Sequence, residues 1–170
     1  MKLDKIYLIG FSGCGKTTIG KALAEKLNYE FADLDQLIEK NEGISISDFF
    51  KEKGEHQFRE VEQAVLSKTI SYPKAVISCG GGTPCFHDNM DFMLNNGTTI
   101  YLEVSEDKLV NRLSNATNER PLLNDHENDL RERIALLMEE RKKDYERAHL
   151  IIENSGNEEA TIEKILIALL

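Results

Sequence analysis

Short apolar runs separated by longer amphipathic stretches organise this chain. Apolar, β-prone runs recur at 6–9, 29–32, 75–78, 99–104 and 149–152. Between them the apolar residues change to helical spacing, with Ile19, Leu23 and Leu27 in the stretch 17–27 and Leu130, Ile134, Leu137 and Tyr145 in the stretch 126–147. Strands alternating with helices predict an α/β protein: a parallel five-stranded sheet between two helical layers. Sheets of this kind hold ligands beyond the carboxyl ends of their strands, so the residues just after each run deserve the closest reading.

After the first run the chain reads Gly10, four residues, Gly15, Lys16 and Thr17, which fits a phosphate-binding loop placed between a strand and a helix. Gly10, Gly13 and Gly15 allow backbone amides to turn inward around phosphates, and the following helix adds its positive end. Lys16 is positioned to reach the β and γ phosphates and Thr17 to hold magnesium. A nucleoside triphosphate is the expected ligand. The second run leads into Asp33 and Asp35, and the third into Cys79 and the triple glycine Gly80, Gly81 and Gly82. All three post-strand segments would converge on one cleft.

Size and charge narrow the picture further. A chain of 170 residues with 41% apolar residues suits one domain, taken as 1–170. A formal net charge of −9 argues against nucleic acid or an anionic membrane as partner, so an anionic substrate needs locally placed arginines. No apolar run approaches the roughly 20 residues of a membrane span, and no signal-peptide core precedes the first strand, which predicts a cytoplasmic protein. A monomer is the default expectation. Cys14, Cys79 and Cys85 show no metal-type spacing, nor do the four histidines, so no structural zinc is expected. Cys14 reads as a compact filler inside the phosphate loop.

Several polar residues remain open to two readings. Asp33 and Asp35, two apart, would face the same side of a continuous strand, where one organises magnesium and the other meets a substrate hydroxyl; alternatively they cap the helix that follows. Arg59 and Glu62 share a helix face, either as a solvated pair or as a guanidinium fixed for a substrate carboxylate. The triple glycine is either a tight turn or a place of close backbone approach. Arg141 falls on the apolar stripe of 126–147, so it either binds an anion or snorkels to the helix edge. Arg112 and Arg120 flank a polar loop at 114–125 that could bring an arginine to a transferring phosphoryl group.

Taken together these segments resemble shikimate kinases along nearly the whole chain. The resemblance rests on the phosphate loop at 10–17, Asp33 and Asp35, Arg59 with Glu62, the run 76–82 ending in the triple glycine, the segment Arg120 to Leu123 beginning Arg-Pro, and Arg141 with Tyr145. It implies a P-loop NTPase fold with a substrate-binding segment at about 33–62 and a mobile lid at about 112–124. It further implies transfer of the γ-phosphoryl group of ATP to the 3-hydroxyl of shikimate, in aromatic amino acid biosynthesis, with one Mg2+. By the resemblance, Arg59 and Arg141 hold the shikimate carboxylate, Asp35 its ring hydroxyls, and Gly80, Gly81 and Gly82 complete its pocket. Gly13, Cys14, Gly15, Lys16, Thr17 and Thr18 hold the nucleotide with Arg112 and Arg120. Lys16 and Arg120 stabilise the phosphoryl group in flight, with Asp35 as the third catalytic residue; Thr17 ligates magnesium and Asp33 supports it through water. The chain departs from the family pattern at Pro84, at Lys142, Lys143 and Asp144, and at 154–159, where an adenine-contacting proline is missing. Gluconate kinases and nucleoside monophosphate kinases, or a catalytically silent nucleotide-binding module, are the competing readings.

Overall fold

The computed structural model describes residues 3–115 and 127–170. Five strands, β1 (Lys5–Ile9), β2 (Glu30–Asp33), β3 (Ala75–Ser78), β4 (Thr98–Glu103) and β5 (Leu150–Glu153), form one sheet in the order β2-β3-β1-β4-β5. Every neighbouring pair is parallel. Helices α1 (Lys16–Leu27), α2 (Leu34–Glu42), α3 (Ile46–Lys68), α4 (Asn89–Asn96), α5 (Glu106–Ser114), α6 (Glu127–Tyr145) and α7 (Glu158–Leu169) provide the connections and cover both faces.

The alternation of side chains along the strands creates two cores. Ile6 and Leu8 of β1 join Val76, Ile100 and Leu102 on one face, where Ile19 and Leu23 of α1 and Ile162 and Ile165 of α7 close over them. Tyr7 and Ile9 point the other way, with Ala75, Ile77 and Tyr101, and meet Leu34 and Ile38 of α2, Phe58 and Leu66 of α3 and Met93 of α4. Burying a side chain of this size fully contributes roughly 1.5–3 kcal/mol, which is why the central strands read as continuous apolar runs.

Several boundaries differ from the sequence reading, most of them by a residue, and three of the differences have a clear local reason. Tyr29 completes the turn that ends α1: Asn28 adopts a left-handed conformation (φ 55°) and the Tyr29 N–H donates to Ala24 O at 2.9 Å, so β2 begins one residue later. His149 donates its N–H to Thr99 Oγ1 at 3.1 Å, and β5 starts at Leu150. The helix that carries Arg59 and Glu62 extends back to Ile46, where Ser45 caps it by accepting the Asp48 N–H at 3.0 Å. At Gly54 (φ 80°, ψ 173°) the helix breaks, in a conformation that favours glycine, and this break hides the earlier turns from a periodicity reading.

Candidate active site

Because β1 lies between β3 and β4 while α1 carries the chain out to β2, a crevice opens where strand order reverses. A cleft of about 760 Å³ occupies it, lined by the loop after β1, by Asp33 and Asp35 after β2, by Gly80, Gly81 and Gly82 after β3, and by Arg59 and Arg141. The predicted convergence of three post-strand segments is therefore present.

The phosphate loop folds two of its carbonyl groups onto the Lys16 ammonium. Gly10, Gly13 and Gly15 have φ of 140°, 84° and 98°, values that favour glycine. A Cβ on Gly10 would also stand 2.7 Å from the carbonyl oxygen of Leu102 on the adjacent strand. The Lys16 ammonium, 8% exposed, donates to Gly10 O and Phe11 O, both at 2.9 Å. Lys16 also opens α1, so the first amides of that helix point toward the cleft without intrahelical acceptors. Cys14 is fully buried and free, a filler beneath the loop as expected, and its side chain does not line the cleft.

Asp33 combines both roles weighed from sequence. One oxygen accepts from the Asp35 and Gln36 amides at 3.1 and 3.4 Å and caps α2; the other accepts the Thr17 hydroxyl at 2.8 Å. Thr17 and Asp33 thus present hard oxygen donors side by side next to the phosphate loop, the donor chemistry that suits Mg2+. Asp35 lies in the first turn of α2 and lines the cleft. Burial, reinforced by the neighbouring Asp33 and Glu62 carboxylates and opposed by Lys16, pushes its carboxyl up to about 6.

Arg59 and Glu62 are not a solvated pair. Arg59 is 5% exposed and Glu62 1%; Arg59 Nη1 donates to Glu62 at 2.8 Å and Nη2 to Glu55 at 2.9 Å. The guanidinium stacks over Phe86, 4.1 Å from the ring centroid, and over Phe58. Glu62 also accepts the Thr83 hydroxyl at 2.6 Å, so both oxygens are engaged. A surface helix pair became a buried, oriented cation because α3 packs its Arg59 face against the loop after β3.

That loop explains the three glycines. None has a positive φ, so a strained turn is not the reason for them. A Cβ on Gly80 would meet an Asp35 oxygen at 3.0 Å, one on Gly81 would meet Ser12 Oγ at 3.1 Å and Arg141 Nη1 at 3.3 Å, and one on Gly82 would meet Arg59 Nη2 at 2.6 Å. Successive glycines therefore make room for Asp35, Arg141 and Arg59 in turn. Arg141 is 8% exposed, with its guanidinium 5.4 Å from the Phe11 ring centroid, and has not snorkelled to the helix edge. Four residues on, the Tyr145 hydroxyl donates to Gly81 O at 2.5 Å. The departures Lys142 and Lys143 are exposed, while Pro84 is the second residue of a 3-10 turn, Thr83–Cys85, where proline's missing N–H costs nothing.

Arg112, in the last turn of α5 and outside the cleft lining, donates to Gly13 O at 3.0 Å. Arg120, and the lid expected at about 112–124 beyond Asn115, lie outside the described residues. Thr83, Glu55 and Phe86, which hold the Arg59 assembly, escaped the sequence reading because ordinary spacing gives them no signal. Among the described residues no group of acidic, histidine or cysteine side chains forms a preassembled metal cluster.

A phosphate loop, a hydroxyl and carboxylate suited to Mg2+, and two buried arginines lining the same cleft place the chain among the P-loop kinases. The sequence model for shikimate kinase matches residues 12–170. Shikimate kinase of Bacteroides thetaiotaomicron is 44% identical over 148 residues, covering 86% of this chain and 85% of that protein. The enzyme of a Sulfurihydrogenibium species is 43% identical over 150 residues, covering 88% and 87%. In three dimensions the chain matches the Acinetobacter baumannii shikimate kinase solved in complex with shikimate, with a TM-score of 0.92 at 35% identity, covering 98% of this chain and 93% of that one. The chain belongs to the shikimate kinase family and is an ATP-dependent kinase. A gluconokinase from Sinorhizobium meliloti, 18% identical with a TM-score of 0.59, shares the fold alone. No helix among the described residues is long and apolar enough to cross a membrane.

Proposed function

We propose that this cleft transfers the γ-phosphoryl group of ATP to the 3-hydroxyl of shikimate, giving shikimate 3-phosphate and ADP. Membership of the shikimate kinase family carries the reaction. The seating of Asp35, Arg141 and Arg59 on three consecutive glycines beside the phosphate loop supports the assignment of residues to it.

The loop 10–15 and the first turn of α1, including Thr18, hold the triphosphate through backbone amides, and Lys16 follows the charge that moves onto the transferring group. Thr17 would hold Mg2+ and Asp33 would support it through water; when bound, the ion would neutralise phosphate charge. Arg59 and Arg141 take the acceptor carboxylate, and Glu62 keeps Arg59 oriented for it. Asp35, mainly ionised at neutral pH yet more basic than an ordinary aspartate, accepts the hydrogen bond of the attacking hydroxyl and then its proton. Arg120 is assigned, by resemblance alone, to the phosphoryl group in flight, and Arg112 to the nucleotide. Most of the acceleration then comes from alignment and charge neutralisation. A cytoplasmic monomer completes the reading.

The test is ADP release by the purified protein with magnesium and ATP, comparing shikimate, gluconate, nucleoside monophosphates and no acceptor. Release that requires shikimate is the expected result. Release with another acceptor overturns the acceptor pocket, and nucleotide binding without turnover overturns the kinase reading.

A further inference from the structure

We propose that Asn154, in the turn after β5, is a positioning residue for the nucleotide: its carboxamide sets the Cys14–Gly15 peptide so that the Gly15 amide faces the phosphates. Asn154 lies 140 residues from the loop in sequence, yet its Nδ2 donates to Cys14 O at 2.8 Å, and the residue is 4% exposed. A trans peptide points its carbonyl and its N–H in opposite directions. Drawing the Cys14 carbonyl outward therefore turns the Gly15 N–H inward, and Gly15 lines the cleft.

The carboxamide is itself fixed. Its Oδ1 accepts the Gly156 N–H at 3.1 Å, which leaves Nδ2 as the end that faces the loop, and the Thr161 hydroxyl stands 3.1 Å from the same oxygen. The Asn154 backbone N–H donates to Glu103 O at 2.8 Å, so the anchor is the sheet. A Cβ on Gly15 would stand 2.9 Å from Nδ2, which shows how closely the side chain is wedged against the loop. Three other loop carbonyls also accept side-chain donors: Gly10 and Phe11 from Lys16, and Gly13 from Arg112. With the Cys14 carbonyl engaged by a donor anchored in the sheet, the Gly15 amide is already turned toward an anion before one binds.

This inference rests on the cleft being the ATP site, and its direct readout needs no acceptor. Magnesium-ADP affinity is measured by calorimetry for Asn154→Ala and for Asn154→Asp, which keeps the size and the Oδ1 acceptor but puts an oxygen against Cys14 O. Losing one oriented hydrogen bond should weaken ADP binding about five- to tenfold in the alanine variant. The aspartate variant should bind more weakly still, with the ATP KM following both and the shikimate KM unchanged. Wild-type ADP affinity in either folded variant, whatever happens to its melting temperature, overturns the proposal; so does an equal rise in both KM values. Failure of wild type to phosphorylate shikimate would overturn the acceptor assignment and leave the ADP comparison intact.

Discussion

Gly82 stands so close to Arg59 that a Cβ there would lie 2.6 Å from Nη2 and 2.9 Å from the central guanidinium carbon. Gly82 has φ −89°, which alanine adopts freely, so Gly82→Ala changes space and not backbone preference. The guanidinium cannot retreat without giving up Glu62, Glu55 or the Phe86 face. The expected result is a shikimate KM raised about tenfold or more, with a stability loss of about 1–3 kcal/mol and an unchanged ATP KM. Steady-state kinetics with each substrate varied in turn, together with denaturant unfolding, provide the check.

Asp35 makes activity and stability move in opposite directions. Its carboxyl is raised from 3.8 to about 6, so the folded state binds that proton more tightly than the unfolded chain. The resulting contribution to stability is fully present below pH 3.8 and is lost as pH rises through about 6. Above that range the ionised carboxylate costs about 1–3 kcal/mol, so Asp35→Asn should be the more stable protein at pH 8, with a smaller advantage at pH 5. Turnover should fall at least about a hundredfold in the same variant, and wild-type kcat/KM for shikimate should decline as pH drops below 6. Denaturation at the two pH values and a pH–rate profile test both halves.

Asp33 serves a helix cap and the Thr17 hydroxyl through different oxygens, and two substitutions separate them. Asparagine preserves a capping oxygen, so Asp33→Asn should keep the melting temperature near wild type while raising the Mg2+ concentration needed for half-maximal rate. Asp33→Ala should show the same Mg2+ defect and lose about 1 kcal/mol of stability. Magnesium titrations of initial rate and thermal unfolding distinguish the two; equal Mg2+ dependence in wild type and asparagine variant would remove Asp33 from the metal site.

Much of the fold was legible because its signals are local. Ile6, Leu8, Val76, Ile77 and Ile100 form short apolar runs that strand alternation divides between two cores, and Gly10, Gly15, Lys16 and Thr17 stand at fixed spacing in one loop. The start of α3 was not legible, since Gly54 breaks the periodicity on which such a reading depends. At the site, Arg141 showed itself as a charge on an apolar stripe, whereas the spacing of Arg59 and Glu62 fitted a solvated pair as well as a fixed guanidinium until α3 was packed.

By itself, then, the chain determined an α/β sheet, the phosphate loop, and the residues that follow each strand, because backbone periodicity and turn chemistry act over a few neighbours. Only the tertiary structure decided that Arg59 is buried and gripped by Glu62 and Glu55, that three glycines make room for Asp35, Arg141 and Arg59, and that Asn154 holds a carbonyl 140 residues away. Desolvation and close approach depend on which surfaces meet when strands pair out of sequence order, and those meetings leave no spacing in the sequence to be read.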